Sequence, residues 1–144
     1  MAALIRKTRR VVPDNIRYVK EMGKEIDKIN MFFTDMEARK RMRVSLGQIP
    51  GILVTSSIPN NLEINAAGAD KGSALLRLAE FLGIGREETM AFGDGENDLS
   101  MLRAAGLGIA MENGEEQGNQ AADFVTVSNN DAGVASAIRK FVLE

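Results

Sequence analysis

The pattern of apolar positions predicts two different orders of helices and strands, and the change falls near residue 68. Before that point, short apolar runs between turns predict helix, strand, helix, strand and strand, an order that suits an antiparallel sheet covered by helices. After it, helical and strand patterns alternate strictly, which is typical of parallel β/α units. The predicted strands are 29–33, 51–55, 62–66, 89–92, 107–111 and 123–127, and the clearest predicted helices are 71–82, 99–105 and 132–142.

Several helix starts carry their own signals. Pro13-Asp14-Asn15 looks like a helix start. Thr34 and Glu37 fit a capping box, which would open a helix running to about Leu46. Asn113 is predicted to cap a polar helix in the second half of the chain.

Length and composition fit a folded chain with a buried core. The 144 residues suffice for one ordinary domain or two small ones, and 44% of them are apolar. The change in the order of elements divides the chain into residues 1–67 and 68–144. We therefore predict an α/β fold with two regions.

Charge and residue types exclude several kinds of function. The formal charge of −2 and the pI of 5.3 argue against general nucleic-acid binding. Without Cys or His, the chain has no disulfide, no zinc–thiolate site and no Ser–His triad. No apolar run reaches the roughly 20 residues of a membrane span. Since Met1 to Arg10 lacks the order of a signal peptide, we predict a cytoplasmic location and interpret its basic cluster as solvated surface.

The most informative segment is Gly93-Asp94-Gly95-Glu96-Asn97-Asp98, which follows the predicted strand 89–92. Asp94 and Asp98 would lie at the carboxyl end of that strand, where open α/β sheets bind ligands. Mg²⁺ prefers carboxylate oxygens, and the glycines let an ion or a phosphate approach the backbone. The alternative is that both acids only satisfy free amides at a helix start. That alternative does not account for all six residues.

Lys71 is the second candidate. It begins the predicted helix 71–82, where the positive end of the helix dipole disfavours a cation. A nearby phosphate or aspartate would explain the lysine, which would act as a point charge. The alternative is an exposed lysine on an ordinary first turn, and the segment around Asp94 weakens it.

Two segments together resemble the haloacid dehalogenase superfamily, and most of all its Cof-type sugar-phosphate phosphatases. They are Asp70-Lys71-Gly72 and, about 20 residues later, Gly93-Asp94-Gly95-Glu96-Asn97-Asp98-Leu99-Ser100-Met101-Leu102. Further support comes from Leu62-Glu63-Ile64, Ala110-Met111-Glu112-Asn113 and Asp131-Ala132-Gly133-Val134-Ala135.

The resemblance covers nearly the whole chain and implies a fold. Residues 68–144 would form the C-terminal part of a partial Rossmann-like parallel sheet with helices on both faces. Residues 1–67 would form part of an α/β cap with antiparallel strands, which covers the site and selects the substrate.

The resemblance also implies roles for individual residues. Lys71 would steady an aspartyl nucleophile and the phosphate, Asp94 would be an acidic Mg²⁺ ligand, and Asp98 would be the second acid of the metal site. Asn97 would lie close to the phosphate pocket, with Asn113 beside it. The implied enzyme is a Mg²⁺-dependent hydrolase that removes phosphate from small phosphorylated metabolites, sugar phosphates above all. Its reaction would pass through a phosphoaspartate that water hydrolyses.

The chain departs from the family at the opening motif, a strand ending in Asp-x-Asp-Gly-Thr that carries the nucleophile. The nearest match, Phe32-Phe33-Thr34-Asp35-Met36-Glu37, lacks the Gly-Thr, so we do not take Asp35 as the nucleophile. The chain therefore resembles the C-terminal half of a longer phosphatase and is expected to be inactive alone. Strand 89–92 would then be an open sheet edge, through which the chain self-associates or pairs with a missing N-terminal segment.

A function of another class stays open. The chain could be a non-catalytic interaction module, or a degenerate remnant of such a phosphatase, that keeps the fold and a partner but has no turnover. An upstream Asp-x-Asp-Gly-Thr segment in the source gene would separate the two hypotheses. Ion-pumping ATPases share a Gly-Asp-Gly-x-Asn-Asp string, but they need membrane spans, which this sequence does not contain.

Overall fold

The computed structural model describes residues 10–144. Arg6, Lys7 and Arg9 of the basic cluster lie outside this range, and Arg10 is exposed. The α-helices of the described part are α1 (Asn15–Met22), α2 (Met36–Leu46), α3 (Lys71–Leu82), α4 (Leu99–Ala104), α5 (Glu116–Ala121) and α6 (Gly133–Ile138). Its strands are β1 (Ile29–Phe32), β2 (Ile52–Thr55), β3 (Asn61–Ala66), β4 (Met90–Gly93), β5 (Leu107–Met111) and β6 (Phe124–Thr126).

The first sheet is antiparallel, with the strand order β1-β3-β2. Its central strand β3 places Glu63 opposite both Asn30 and Thr55. Because neighbouring side chains of a strand point to opposite faces, Leu62 and Glu63 lie on opposite faces of the sheet. The fully buried Leu62 belongs to the apolar core, and helix α2 packs against β2 and β3. The predicted antiparallel sheet with helices is therefore confirmed.

The second sheet is parallel, with the strand order β4-β5-β6. Helix α4 connects β4 to β5, and α5 connects β5 to β6, which is the predicted alternation of strand and helix. Ile109 in the central strand pairs with Phe92 on one side and Phe124 on the other, and it is fully buried. Leu102 of α4, 1% exposed, is a second centre of this core. Among the described residues, no helix is long and apolar enough to cross a membrane.

Two predicted helix caps are wrong. Helix α2 is capped by Asp35 and not by Thr34, because Oδ1 of Asp35 accepts the N–H groups of Glu37 (2.8 Å) and Ala38 (3.1 Å). Asn113 does not cap a helix either. Helix α5 starts at Glu116, and the side chain of Asn113 is bonded to another loop. At α2 the neighbouring Asp35 takes the cap through local hydrogen bonds, whereas at α5 a tertiary contact with Asn129 takes the side chain of Asn113.

Strand β4 lies at one edge of the parallel sheet and pairs only with β5 within residues 10–144. The sequence pattern places Leu75, Leu78, Ala79 and Leu82 on one face of α3, and that face is only partly buried. Ala79 is buried and Leu75 is half-buried, whereas Leu78, Leu82 and the neighbouring Phe81 are 56%, 58% and 85% exposed. This part of the fold therefore presents an open strand edge and an open apolar helix face. The division of the chain at residue 67 stays a prediction.

Candidate functional site

The loop after β4 is folded around the carboxylate of Asp98. Residues Glu96–Asp98 form one 3₁₀ turn between β4 and α4. Asp98 is only 6% exposed, and its Oδ2 accepts the backbone N–H groups of Asp94 (3.1 Å) and Gly95 (3.2 Å). A Cβ at position 93 would lie 2.5 Å from the Cβ of Asp98, so this fold of the loop requires Gly93. The buried carboxylate thus fixes the backbone that carries Asp94.

Lys71 is directed at the same carboxylate from the start of α3. Its Nζ donates to Oδ1 of Asp98. Asp70 caps α3, since its Oδ1 accepts the N–H of Ser73 at 2.9 Å, and this hydrogen bond lowers the pKa of Asp70. The anion that offsets the unfavourable position of Lys71 at a helix start is therefore Asp98.

The close approach of α3 and α4 brings Lys71 to Asp98, and it depends on Gly72. A Cβ at position 72 would overlap the carbonyl oxygen of Ser100 and lie 3.2 Å from the Cβ of Ala104. The N–H of Gly72 also donates to Oγ of Ser100 at 3.1 Å. The glycine of the Asp70-Lys71-Gly72 segment therefore serves helix packing, which places the lysine beside it.

Asp94 belongs to a second cluster at the carboxyl edge of the parallel sheet. Asp94 follows β4, Asn113 follows β5 and Asn129 follows β6. Nδ2 of Asn129 donates to Oδ2 of Asp94 at 3.1 Å. Asn113 and Asn129 share two hydrogen bonds, at 2.9 and 3.1 Å. All three residues are exposed.

The predicted site residues thus form two groups that meet in one loop. One group holds Lys71 and Asp98, the other holds Asp94 and Asn113, and Asp98 connects them through the N–H of Asp94. The sequence interpretation missed Asn129. The signal that could have found it is its position, because it follows the third parallel strand just as Asp94 follows the first.

A cleft of about 700 Å³ lies between the antiparallel sheet and the helices α3 and α4. On the helix side it is lined by Lys71 and Asn97, and on the sheet side by Lys28, Glu63 and Asn65. Of the predicted site residues, Lys71 and Asn97 line this cleft, whereas Asp94, Asp98 and Asn113 do not.

Within residues 10–144, one pair of side chains forms hydrogen bonds between the first region, residues 1–67, and the second, residues 68–144. The guanidinium of Arg43 on α2 contacts both carboxylate oxygens of Glu96, with Nη1 3.0 Å from Oε2. These hydrogen bonds to Glu96 raise the pKa of Arg43. Glu96 directly precedes Asn97 and Asp98, so this bidentate pair fastens the first region to the loop that carries the candidate site.

The sheet side of the cleft contains a polar network around Glu63, which is 9% exposed. Nζ of Lys28 donates to its Oε2 at 2.7 Å, and Ser57 and Asn61 donate to its Oε1. The hydrogen bonds from Lys28 and Ser57 hold the pKa of Glu63 below its usual value and outweigh burial, which acts in the opposite direction. Glu63 is therefore a charged group at neutral pH on the wall of the cleft.

The lowered pKa of Glu63 predicts acid sensitivity of the antiparallel sheet. A group whose pKa is lower in the folded than in the unfolded chain stabilises the fold fully above the unfolded value, about 4.3, and loses that contribution as the pH falls through the folded value. We expect Glu63→Gln to flatten the decrease of the thermal midpoint between about pH 5 and pH 3. Glu21→Gln, at an exposed glutamate paired with Arg17, is the control. An unchanged pH profile in Glu63→Gln would contradict the assignment.

The described residues fit one part of a magnesium site. Mg²⁺ keeps several waters and binds one or two carboxylates together with a phosphate. Asp94 is exposed, and of its two oxygens only Oδ2 has a hydrogen bond within residues 10–144. Both oxygens of Asp98 are already engaged. In this part of the chain no group of three Asp, Glu, His or Cys side chains could hold an ion. Asp94 thus offers one carboxylate oxygen to such an ion, and among residues 10–144 a complete set of ligands is not found.

The chain matches a known family. The family model of the haloacid dehalogenase-like hydrolases matches residues 3–138. The chain belongs to the haloacid dehalogenase-like hydrolase family.

Curated and solved relatives point the same way. The 5-amino-6-(5-phospho-D-ribitylamino)uracil phosphatase YcsE of Bacillus subtilis is 40% identical over 109 residues, which are 76% of this chain and 44% of the relative. The sugar phosphatase BT4131, of HAD subclass IIB, superposes with a TM-score of 0.75 and 32% identity over 86% of this chain and 46% of that one. A haloacid dehalogenase-like hydrolase from B. subtilis superposes with a TM-score of 0.76 and 36% sequence identity, over 85% of this chain and 45% of that one.

The chain spans about half the length of the relatives it matches, or slightly less. This is consistent with the resemblance to one half of a longer phosphatase. Homologues of this chain are phosphatases, and its parallel and antiparallel sheets match the core and the cap of such a fold.

Proposed function

We propose that this chain forms the C-terminal part of a Mg²⁺-dependent phosphatase acting on small phosphorylated metabolites, with sugar phosphates as the favoured class. The observation that carries the proposal is the pairing of Lys71 with the buried Asp98 directly beside the loop that presents Asp94. Paired charges and an exposed carboxylate at the carboxyl edge of a parallel sheet are suited to hold a phosphate and a cation together. The relatives named as phosphatases support the reaction class.

Each residue has a proposed task. Lys71 is half-exposed, and its ammonium has three donors, so it can contact Asp98 and a phosphate oxygen at once. Asp94 offers a carboxylate to Mg²⁺, which supplies positive charge to the phosphoryl group when bound. Asp98 holds the Asp94 backbone and orients Lys71, so its part in the metal site is support. Asn97 lines the cleft together with Lys71, and we place it close to the proposed phosphate position.

The nucleophile is proposed to come from an Asp-x-Asp-Gly-Thr segment outside this chain. Its carboxylate attacks phosphorus, the P–O bond to the sugar breaks, and the resulting phosphoaspartate is hydrolysed by water. Residues 1–67 would cover the site as part of a cap, with the polar wall around Glu63 facing the substrate. We therefore expect the isolated chain to be inactive, and a cytoplasmic location also stays a prediction.

The test measures phosphate release from an aryl phosphate and a panel of sugar phosphates, each with and without Mg²⁺. It compares this chain with a form extended by an N-terminal segment that carries the Asp-x-Asp-Gly-Thr motif. We expect Mg²⁺-dependent turnover only in the extended form. Activity of the chain alone would place a nucleophile within it and make Asp35 the first residue to replace. A folded extended form without turnover on any of these esters would refute the proposal.

The open edge of β4 favours a second function, that of an interaction module. An unpaired edge strand presents free N–H and C=O groups, and the exposed stripe of Leu78, Phe81 and Leu82 adds apolar surface. A parallel sheet normally has neighbours on its strands and helices on both faces. The partner that fits best is a strand–helix segment of the same fold, and a second copy of this chain can take that place when the segment is absent.

We expect the isolated chain to associate with itself. Sedimentation velocity should show a weight-average mass that rises with concentration. Phe81→Lys places a charge on the uncovered face and should shift the chain toward the monomer, while Val44→Lys, at a 67%-exposed position on α2, should not. A stable monomer at every concentration would contradict the prediction.

A further inference from the structure

The three exposed side chains at the carboxyl edge of the parallel sheet are connected in a fixed direction. The backbone N–H of Asn129 donates to Oδ1 of Asn113 at 2.9 Å. Nδ2 of Asn113 donates to Oδ1 of Asn129 at 3.1 Å, and Nδ2 of Asn129 donates to Oδ2 of Asp94 at 3.1 Å. Each link joins the end of one strand to the end of its neighbour or the next.

The order of donors and acceptors in these hydrogen bonds is set by the backbone N–H of Asn129, which can only donate. A side-chain amide can rotate by 180° and exchange its oxygen with its nitrogen, but a backbone N–H is always a donor. The N–H of Asn129 therefore requires the oxygen of Asn113 on its side. That choice turns Nδ2 of Asn113 toward the oxygen of Asn129, which leaves Nδ2 of Asn129 for Asp94. If Asn129 turned over, it would set an oxygen against the Asp94 carboxylate and a nitrogen against the donor of Asn113.

We propose that Asn129 is a positioning residue for Asp94, and that Asn113 acts through Asn129 by fixing the orientation of its amide. This assigns the Asn113 side chain a task other than direct phosphate binding, since its oxygen and one of its donors are already used. The hydrogen bond to Oδ2 leaves Oδ1 of Asp94 to face a cation. Partners that orient a metal-binding carboxylate commonly change metal affinity by 10–100-fold when removed.

The turn that carries Asn129 is built to hold it in place. Asn129–Asp131 form a 3₁₀ turn after β6, and Oγ of Ser128 accepts the N–H of Asn130 at 3.1 Å. The next residue, Ala132, adopts a left-handed conformation with φ of 59°, which a non-glycine residue takes only at some cost. Because hydrogen bonds between exposed amides are individually weak, the orientation of these amides depends on the position that the turn gives Asn129.

The inference rests on the proposed function only in taking Mg²⁺ as the ligand of Asp94. Its first test measures the side-chain rotamer of Asp94 and does not need enzyme activity. Three-bond couplings of the Asp94 Cγ to the backbone nitrogen and carbonyl carbon report its χ1 rotamer by NMR in the chain as it stands. Asn129→Ala removes the donor to Asp94. Asn113→Asp keeps the shape but replaces the donor to Asn129 by an oxygen, so Asn129 should turn over. Asn130→Ala and Asn130→Asp are matched controls, because that side chain makes no hydrogen bond within residues 10–144.

We expect one rotamer of Asp94 in the unchanged chain and in both controls, and rotamer averaging in Asn129→Ala and Asn113→Asp. In the active extended form, the same two variants should need about tenfold more Mg²⁺ for half-maximal turnover. All these residues are exposed, so both variants are expected to keep the fold, and the thermal midpoint verifies this. Unchanged Asp94 couplings in both variants would overturn the inference, whatever the phosphatase assay shows. Altered Asp94 couplings in these variants support the inference even if the phosphate-release assay refutes the proposed reaction.

Discussion

Asp94→Asn is expected to abolish Mg²⁺-dependent phosphate release in the extended, active form of the protein. The substitution keeps the size of the side chain but removes the negative charge of the one exposed carboxylate that the β4 loop presents. A bound Mg²⁺ contributes several kcal/mol of charge stabilisation in phosphoryl transfer, so we expect a loss of at least about 100-fold in kcat/KM.

The design separates this effect from a change in fold. Asp131→Asn is the control, since it is the same replacement at an exposed aspartate in the turn after β6. Its turnover should equal that of the unchanged enzyme. Raising the Mg²⁺ concentration should restore part of the lost activity of Asp94→Asn if the carboxylate is a ligand. Activity of Asp94→Asn equal to that of Asp131→Asn would overturn the role assigned to Asp94.

Gly72→Ala is expected to destabilise the fold and to disturb the site at the same time. The added Cβ would overlap the carbonyl oxygen of Ser100 and approach its carbonyl carbon to 2.6 Å, so helices α3 and α4 must separate. Overpacking of this kind costs about 1–3 kcal/mol in the free energy of unfolding. Separation of the helices also draws Lys71 away from Asp98, so turnover of the extended form should fall even where the protein remains folded.

The matched control is Gly118→Ala in α5. Gly118 is also a buried helical glycine, but a Cβ there would meet only Cδ1 of Leu102, at 3.9 Å. Since alanine favours a helix over glycine by up to about 1 kcal/mol, this variant should equal or exceed the unchanged chain in stability. Denaturant unfolding of the two variants measures the difference. A Gly72→Ala variant as stable as Gly118→Ala would mean that the contact between α3 and α4 is loose.

The elements of the fold could largely be predicted from local patterns, because each pattern reflects burial of one face. The strands around Ile109 and Leu62 are continuous apolar runs or alternations, and their pairing into one parallel and one antiparallel sheet follows from the order of elements. The caps were less predictable. Asp35 and Thr34 are both good capping residues one position apart, and only the path of the chain into α2 selects between them.

The candidate site divides in the same way. Sequence alone singled out Asp94 and Asp98, because acids beside glycines at the carboxyl end of a strand suit a hard cation. It singled out Lys71 because a lysine at a helix start is unfavourable unless a ligand or a partner explains it. It could not determine that Lys71 and Asp98 are partners of each other, since their 27-residue separation is closed only by the packing of α3 on α4.

The sequence therefore indicates which residue types are available to a site, whereas the tertiary structure decides their geometry. The sequence determined the residue types, the α/β class and the family, since these depend on composition and on periods of a few residues. The tertiary structure decided which carboxylate is buried and which is exposed, and it joined Asn113 and Asn129 to Asp94 across three strand ends. These relations depend on contacts between distant segments, which local propensity does not specify.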